Sequence, residues 1–513
     1  MAEIVTKKEF RENIRPQLKD NKKTIALCHG VFDLVHPGHM DHFEQASKMA
    51  DVLVVSITAA KYVRKGPDRP YFNDNQRLKF LANIDYIDYV MLSEGYTVDD
   101  IVEAVEPDFY VKGAEYADEN ADVTANMRPE RELVEKHGGK VTYTGGEVFS
   151  STKLINRGMS ALSEDVIAYM EKFKKKYSMA DILHYAERAR KLKVLVIGDV
   201  IIDRYTFCDV QGLMSKNMAY SARESKTEDY LGGSIAVARH IAGFCDDVTL
   251  MSVIGDEDGM LEKIRVGCES YDSLKLELIK SEEFPTIIKH RYVHANEKRE
   301  EYEKVFVSNN IPQNPHIDEK SHNKIERKLA KKIDEYDVVF LCDFGHGLFD
   351  DDLRNTIQDR AKYIVLNCQT NSSNYGLNNI TKYYRSNAIS LDQRELRLAF
   401  PHHAESEEIG IDDLFKVFNP EIAWLTRGAE GALGVSKDIR EECPAFALKV
   451  SDTIGAGDAF YSIAGLFAAS GAEVAINTMV GNIAGALGAN IVGNKRSIER
   501  ADLLKFASTL LNI

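Results

Sequence analysis

Asp452-Thr453-Ile454-Gly455-Ala456-Gly457-Asp458, with the apolar run Ala459 to Phe467 behind it, has residue types and spacing suited to chemistry. Glycines let the backbone turn tightly and come close to a ligand. The apolar run reads as a buried helix. A Gly-rich turn that opens a helix aims free N–H groups and the helix's positive end at one spot, which suits a phosphate. Asp458 sits at the lip of that turn. A carboxylate there makes sense if it takes a proton from a hydroxyl that attacks the phosphate. The plainer alternative is a Gly-rich turn with an Asp helix cap.

A second stretch lies near the start. Residues 24–28 read as a buried strand that runs into His29-Gly30-Val31-Phe32-Asp33-Leu34-Val35-His36-Pro37-Gly38-His39. A helical pattern follows, then the strand Val52–Ile57, making a βαβ unit whose first turn carries the ligand site. His36 and His39 both reach that crevice if His39 opens the helix, and imidazoles there hold nucleotide phosphates as charge builds in transfer. A metal pair is the alternative, without an evident third ligand nearby. Two polar residues at a helix start is the plainest reading.

These sites need elements to carry them, and composition bounds what those are. At 513 residues the chain is too long for one core. Net charge is −15, from 65 basic and 80 acidic residues, which argues against a general nucleic-acid binder. The seven cysteines, at 28, 208, 245, 268, 342, 368 and 443, form no Cys-x-x-Cys pair, so neither a zinc site nor a disulfide framework is expected. The charged start is unlike a signal peptide, and no run of about 18 apolar residues suggests a membrane span. A cytoplasmic location is expected.

Asp-Thr-x-Gly-Ala-Gly-Asp resembles the signature of the ribokinase-like (PfkB) sugar kinases. The resemblance implies that Asp458 is the base and that Thr453, Gly455, Ala456 and Gly457 bind phosphate. Gly-x-Phe-Asp-x-x-His-x-Gly-His resembles the cytidylyltransferase-type nucleotidyltransferases. Lys65-Gly66, Asn75-Gln76-Arg77, Val111-Lys112-Gly113-Ala114-Glu115-Tyr116 and Ser150-Ser151-Thr152-Lys153 follow in that family's order. This implies that His36, His39, Lys65 and Lys112 are catalytic. Gly30, Phe32, Asp33, Arg77, Ser151 and Thr152 would bind nucleotide or phosphate. Positioning and positive charge supply that catalysis, because a sugar phosphate oxygen is already an anion.

In the carboxyl-terminal half, Val194–Gly198 reads as a strand, followed by Asp199 and Asp203. By the resemblance Asp203 binds sugar hydroxyls, with Asp199 second or a turn cap. Gly232 and Gly233 let a helix start approach the sugar. Asp392 and Glu395 stand where the family holds magnesium, and Thr426, Gly428 and Gly431 beside the nucleotide. Residues 272–310 alternate and read as strands of a lid, an element that pairs subunits in this family. A homodimer or higher homo-oligomer is therefore expected.

The expected fold is α/β: a Rossmann-like nucleotidyltransferase domain (1–157), a helical linker (158–190) and a ribokinase-like α/β domain with a β lid (191–513). Both halves together resemble the bifunctional heptose-phosphate kinase/adenylyltransferases of ADP-heptose synthesis, with the domain order reversed. That implies a sugar phosphate and a nucleoside triphosphate as substrates, Mg2+ and ATP as cofactors, with CTP the alternative in the first domain. Neither nucleic acid nor membrane is expected as a partner. Three positions depart from the kinase pattern. Ala236 stands for a sugar-binding Asn, Asn367-Cys368-Gln369-Thr370 lacks a Lys, and Asp392 replaces an Asn. They leave open an active nucleotidyltransferase with a degenerate kinase-like half used for binding or dimerisation.

Overall fold

The computed structural model describes residues 2–63, 70–113, 127–145, 163–215, 218–257, 259–296, 301–312, 315–403, 406–447, 450 and 452–512. Lys65, Ser151 and Thr152 lie outside them. The chain forms two compact units, Met1–Leu162 with Leu504–Ile513, and Ser163–Leu503.

The first unit is built on a six-stranded sheet: β1 (Glu3–Ile4), β2 (Ile25–Gly30), β3 (Val52–Thr58), β4 (Tyr89–Ser93), β5 (Phe109–Gly113) and β6 (Lys140–Thr144). Its order is β1-β4-β3-β2-β5-β6, and every pair is parallel. The reason is visible in β2. Ala26 and Cys28 join one buried cluster while Ile25 and Leu27 join another. Successive side chains point to opposite faces, so a strand apolar at every position needs cover on both. The order reverses around β2, and the crevice at its carboxyl end is where α/β sheets bind ligands.

The second unit has a nine-stranded sheet with seven parallel strands at its centre and one edge. They are β7 (Lys193–Gly198), β10 (Asp247–Gly255), β11 (Leu274–Ser281), β14 (Val338–Asp343), β15 (Ile364–Cys368), β16 (Ala388–Asp392) and β17 (Ile422–Thr426). The antiparallel β18 (Ala432–Val435) and β19 (Arg440–Cys443) complete it, in the order β11-β10-β7-β14-β15-β16-β17-β18-β19. A separate four-stranded sheet, β13-β12-β8-β9, forms the lid, from β8 (Val200–Leu213), β9 (Tyr220–Gly233), β12 (Ile287–Asn296) and β13 (Glu301–Asn310). Only Asp199 separates β7 of the main sheet from β8 of the lid.

One expectation is corrected. The alternating segment Lys275–Leu278 is not lid: it lies in β11, paired in parallel with β10. Half the lid comes instead from 200–233, whose charged outer positions hid its strands. Of the stretch expected as a helical linker, 158–190, residues 163–190 belong to the second unit. Helices Glu164–Phe173 and Met179–Arg190 pack on the second unit, with Tyr169 against Phe446 at 6.2 Å between rings and Tyr177 donating to Glu473 at 2.7 Å.

Candidate active sites

In the first unit His36 caps the helix Pro37–Ser47. Its extended backbone (φ −136°, ψ 170°) leaves Nδ1 to accept the His39 N–H at 3.4 Å. One turn of helix then stacks the two imidazoles, with 3.8 Å between centroids and 20° between planes. The His39 ring meets the edge of Phe32 at 5.2 Å. Phe32 adopts φ +44°, a conformation that side chains rarely take. Gly30 makes room for it, because a Cβ there would stand 3.0 Å from the Phe32 ring. The expected pair is thus brought together at the end of β2, with Gly30 and Phe32 as its support.

Three other expected residues have work inside the fold. Asp33 is buried and accepts the Tyr71 and Phe72 N–H groups at 2.9 and 3.0 Å, fixing that loop. Arg77, 1% exposed, donates to Val31 O at 2.7 Å, Thr58 O at 3.0 Å and Phe72 O at 3.1 Å, and pairs with Asp74 at 2.6 Å. Its guanidinium is a clamp among three segments rather than an open phosphate contact, a role that sequence order does not distinguish. Lys112, on β5, pairs with Glu130 at 2.9 Å. Burial, with Lys112 nearby, pushes the His29 imidazole down to about 3 and His42 to about 4, so both stay neutral.

In the second unit the glycine signature is built as its residues require. Gly455 takes φ +84° and caps the helix Ala456–Ala469, and a Cβ there would collide with Asn494 Oδ1 at 1.9 Å. A Cβ on Gly457 would meet nothing within 4 Å, so the start of this helix is open on that side. The first-turn amides lack carbonyl partners inside the helix and can receive an anion. Asp452 ties the turn down. Its carboxylate accepts Ile454 N–H at 3.0 Å, Gly493 N–H at 3.1 Å and the Tyr205 hydroxyl at 2.9 Å. Thr453 is exposed at the turn. Gly428 and Gly431 take φ +57° and +96° beside Thr426, whose hydroxyl donates to Leu391 O at 3.3 Å.

Asp458 lies in the first turn of the helix. Burial pushes its carboxyl up to about 6. The Gln369 amide, donating at 2.8 Å, pulls it back, while Asp203 adds to the rise. Asp203 stands on β8 in register with Lys289 of β12, so both side chains share one face of the lid. Arg291, two residues along β12, pairs with Asp203. Burial lowers the Lys289 ammonium, and the charges of Asp203, Asp199 and Asp458 oppose that. Gly232 leaves room for the Asp203 carboxylate: a Cβ there would stand 2.0 Å from Asp203 Oδ2. Gly233 takes φ +62° and precedes the helix Ser234–Ala242.

Asp199 has a different position from Asp203. Its Oδ2 accepts the Phe344 and His346 N–H groups at 3.2 and 3.3 Å, so it anchors the loop after β14. Burial and the nearby Asp343 raise it to about 7. His346 is wholly buried and neither ring nitrogen has a hydrogen-bond partner.

Asp392 and Glu395 form a capping box on the helix Gln393–Ala399: Asp392 Oδ1 accepts Glu395 N–H at 2.7 Å, and Glu395 Oε2 accepts Asp392 N–H at 2.8 Å. Glu395 Oε1 takes the Thr370 N–H at 3.2 Å. Burial, with Asp392 beside it, pushes Glu395 up to about 8. Among the described residues no group of three His, Cys, Asp or Glu is poised as a cation cage. Magnesium keeps several waters and takes one or two carboxylates with substrate phosphates, so these oxygen donors fit it.

Sequence reasoning missed Gln369, Lys289 and Arg291 as site residues. A signal existed for the last two, which sit two apart on a strand and so share a face.

Residues 27–157 match the family model described as cytidylyltransferase-like, and residues 287–494 match that of the pfkB family carbohydrate kinases. The two halves are a nucleotidyltransferase-like fold and a ribokinase-like fold. Curated relatives match the first of them. One, from Koribacter versatilis, is named Bifunctional protein HldE and is 36% identical over 160 residues, 31% of this chain and 31% of its own length. A protein of the same name from Syntrophotalea carbinolica is 32% identical over 144 residues, 27% of this chain and 28% of its own. The chain thus spans about three tenths of the length of these relatives. The crystal structure of phosphofructokinase-2 from Escherichia coli in complex with substrates and products superposes with a TM-score of 0.50 at 15% identity. That match covers 62% of this chain and 99% of the other, and it bears on the fold.

Proposed function

We propose that the protein is a bifunctional enzyme of sugar-nucleotide synthesis. The second unit phosphorylates a sugar or sugar phosphate, of the heptose-phosphate kind, with ATP. The first transfers a nucleotidyl group from ATP, or CTP, to a sugar 1-phosphate and releases pyrophosphate. Each unit has its own core, so the two activities need not depend on which unit comes first.

The observation that carries the kinase reading is the Asp458 carboxylate at an open helix start, with Lys289 and Asp203 on the lid beside it. The acceptor hydroxyl attacks the γ-phosphorus, its proton passes to Asp458, and the bond to the bridging oxygen breaks to leave ADP. The helix-start amides hold the phosphoryl group in flight. Lys289 and Arg291 add positive charge where a sugar phosphate would sit. Asp392 and Glu395 would hold Mg2+, which neutralises the triphosphate when bound. In the first unit a sugar phosphate oxygen attacks the α-phosphorus and pyrophosphate leaves, with His36 and His39 facing the phosphates; Lys65, Ser151 and Thr152 are further candidates. Such substrates support a cytoplasmic location. Exposed Leu213, Tyr220 and Phe306 on the lid support a homodimer paired through that sheet.

One observation favours the second reading, a kinase-like half that only binds: Gln369 occupies the segment where the heptose kinases carry a Lys. A screen of sugars and sugar 1-phosphates against the four nucleoside triphosphates decides it. ADP formation that is lost in Asp458→Asn, together with pyrophosphate release that is lost in His39→Ala, is the expected result. ATP binding without phosphate transfer to any sugar would leave only the nucleotidyltransferase.

A further inference from the structure

Gln369 follows β15 and is held at both ends of its peptide. Its N–H donates to Asp343 O at 2.8 Å, and its carbonyl accepts the Asn378 side-chain amide at 2.9 Å. The side chain is thereby aimed at the helix Ala456–Ala469, where Nε2 donates to Asp458 Oδ1 at 2.8 Å. A carboxylate has two oxygens, and only one is engaged by this bond. We propose that Gln369 is a positioning residue for the phosphoryl transfer: its amide holds Oδ1 of Asp458 so that Oδ2 is presented to the acceptor hydroxyl. The inference rests on the kinase reading for its consequence, but the contact itself does not.

The choice of an amide has a chemical meaning. A neutral donor fixes the carboxylate and favours its charged form only modestly, whereas an ammonium in the same place would favour it strongly and weaken the base. Other charged or ionisable groups facing Asp458 are Asp203 and Lys289 on the lid, Glu395, Tyr461 and Cys342. Asp203 opposes the charged form and Lys289 favours it. Gln369 is the neutral member that orients without adding charge. It also explains how a segment without the Lys of the heptose kinases still serves a base.

The test uses the full chain and needs no acceptor. Carbodiimide coupling of glycine ethyl ester to Asp458, followed across pH by peptide mass spectrometry, reports the titration of that carboxyl. The expected midpoint is near pH 6 in the unaltered protein. It should rise by about one unit in Gln369→Leu and fall by about one unit in Gln369→Lys. Two variants that move the midpoint in opposite directions cannot both be explained by loosened packing. Unchanged midpoints in both would overturn the proposal. On any sugar that the unaltered chain phosphorylates, the acid limb of kcat should move with the labelling midpoint. Lower turnover with an unmoved limb would also overturn it, as a merely structural role. Shifted labelling in a chain that phosphorylates no sugar would sustain the contact and refute the kinase reading instead.

Discussion

Gly232→Ala tests the second site through a single methyl group. Gly232 does not have a positive φ, so alanine brings no backbone strain, only a Cβ. That Cβ would stand 2.0 Å from Asp203 Oδ2, where real Cβ contacts essentially never fall below 3.0 Å. Asp203 must therefore retreat by about 1 Å, and its pairing with Arg291 shifts too. A displacement of that size at a positioning residue costs roughly 10²-fold in rate. Kinase kcat/KM should fall by about that factor, while pyrophosphate release by the first unit and ATP binding stay as they were. Coupled ADP detection on an accepted sugar measures it, with a thermal melt as the check on folding. A variant with kcat/KM within about threefold of the unaltered chain would refute both the placement of Asp203 and the reason for the glycine.

Asp458→Asn keeps the shape and removes the base, so kinase turnover should fall by about 10²–10⁴-fold with ATP affinity retained, as read by ADP formation and calorimetry. The base acts when deprotonated and its carboxyl lies near 6, so kinase kcat should decline as pH falls through about 6; a limb near pH 4 would contradict the burial that raises it. His39→Ala should lower pyrophosphate release by about 10²-fold or more and leave the melt unchanged. Arg77→Met should instead cost about 2–5 kcal/mol in urea unfolding, because it strips donors from three part-buried carbonyls and removes the partner of Asp74; a stable variant with only a raised nucleotide KM would return Arg77 to phosphate binding.

Much of the second site was legible because its chemistry is local. Gly455 must adopt a positive φ, Gly457 must leave the helix start open, and Asp458 follows within one turn, all within seven residues of chain. The histidine pair was legible for the same reason, since a helix start fixes residues three apart. What escaped depends on register and on distance along the chain. Nothing near Gln369 says that its amide meets a carboxylate 89 positions later. Lys289 faces Asp203 only because β12 lies beside β8 in one particular register. Arg77 and Asp33 keep their places in the motif order, yet their side chains turn inward onto backbone groups, a choice that becomes visible only with the loop 70–72 in place. Half of the lid is hidden in the sequence because charged outward positions on β8 and β9 mask two strands whose inner face carries Tyr205, Phe207 and Tyr230.

The single residue between β7 and β8 has a mechanical consequence. The lid strand grows straight out of the main sheet, and it brings Asp203 with it four residues beyond the junction. Any swing of the lid about Asp199 would then carry Asp203, the proposed sugar ligand, through an arc. On the proposed function, gripping the acceptor and shutting the cleft would be one movement rather than two. A sugar that fits poorly would fail to draw the strand home, and the proton acceptor on the opposite wall would stay out of range of its hydroxyl. Fidelity in such a device would come from travel, with water kept from the phosphoryl group until the right cargo had pulled the door closed behind it.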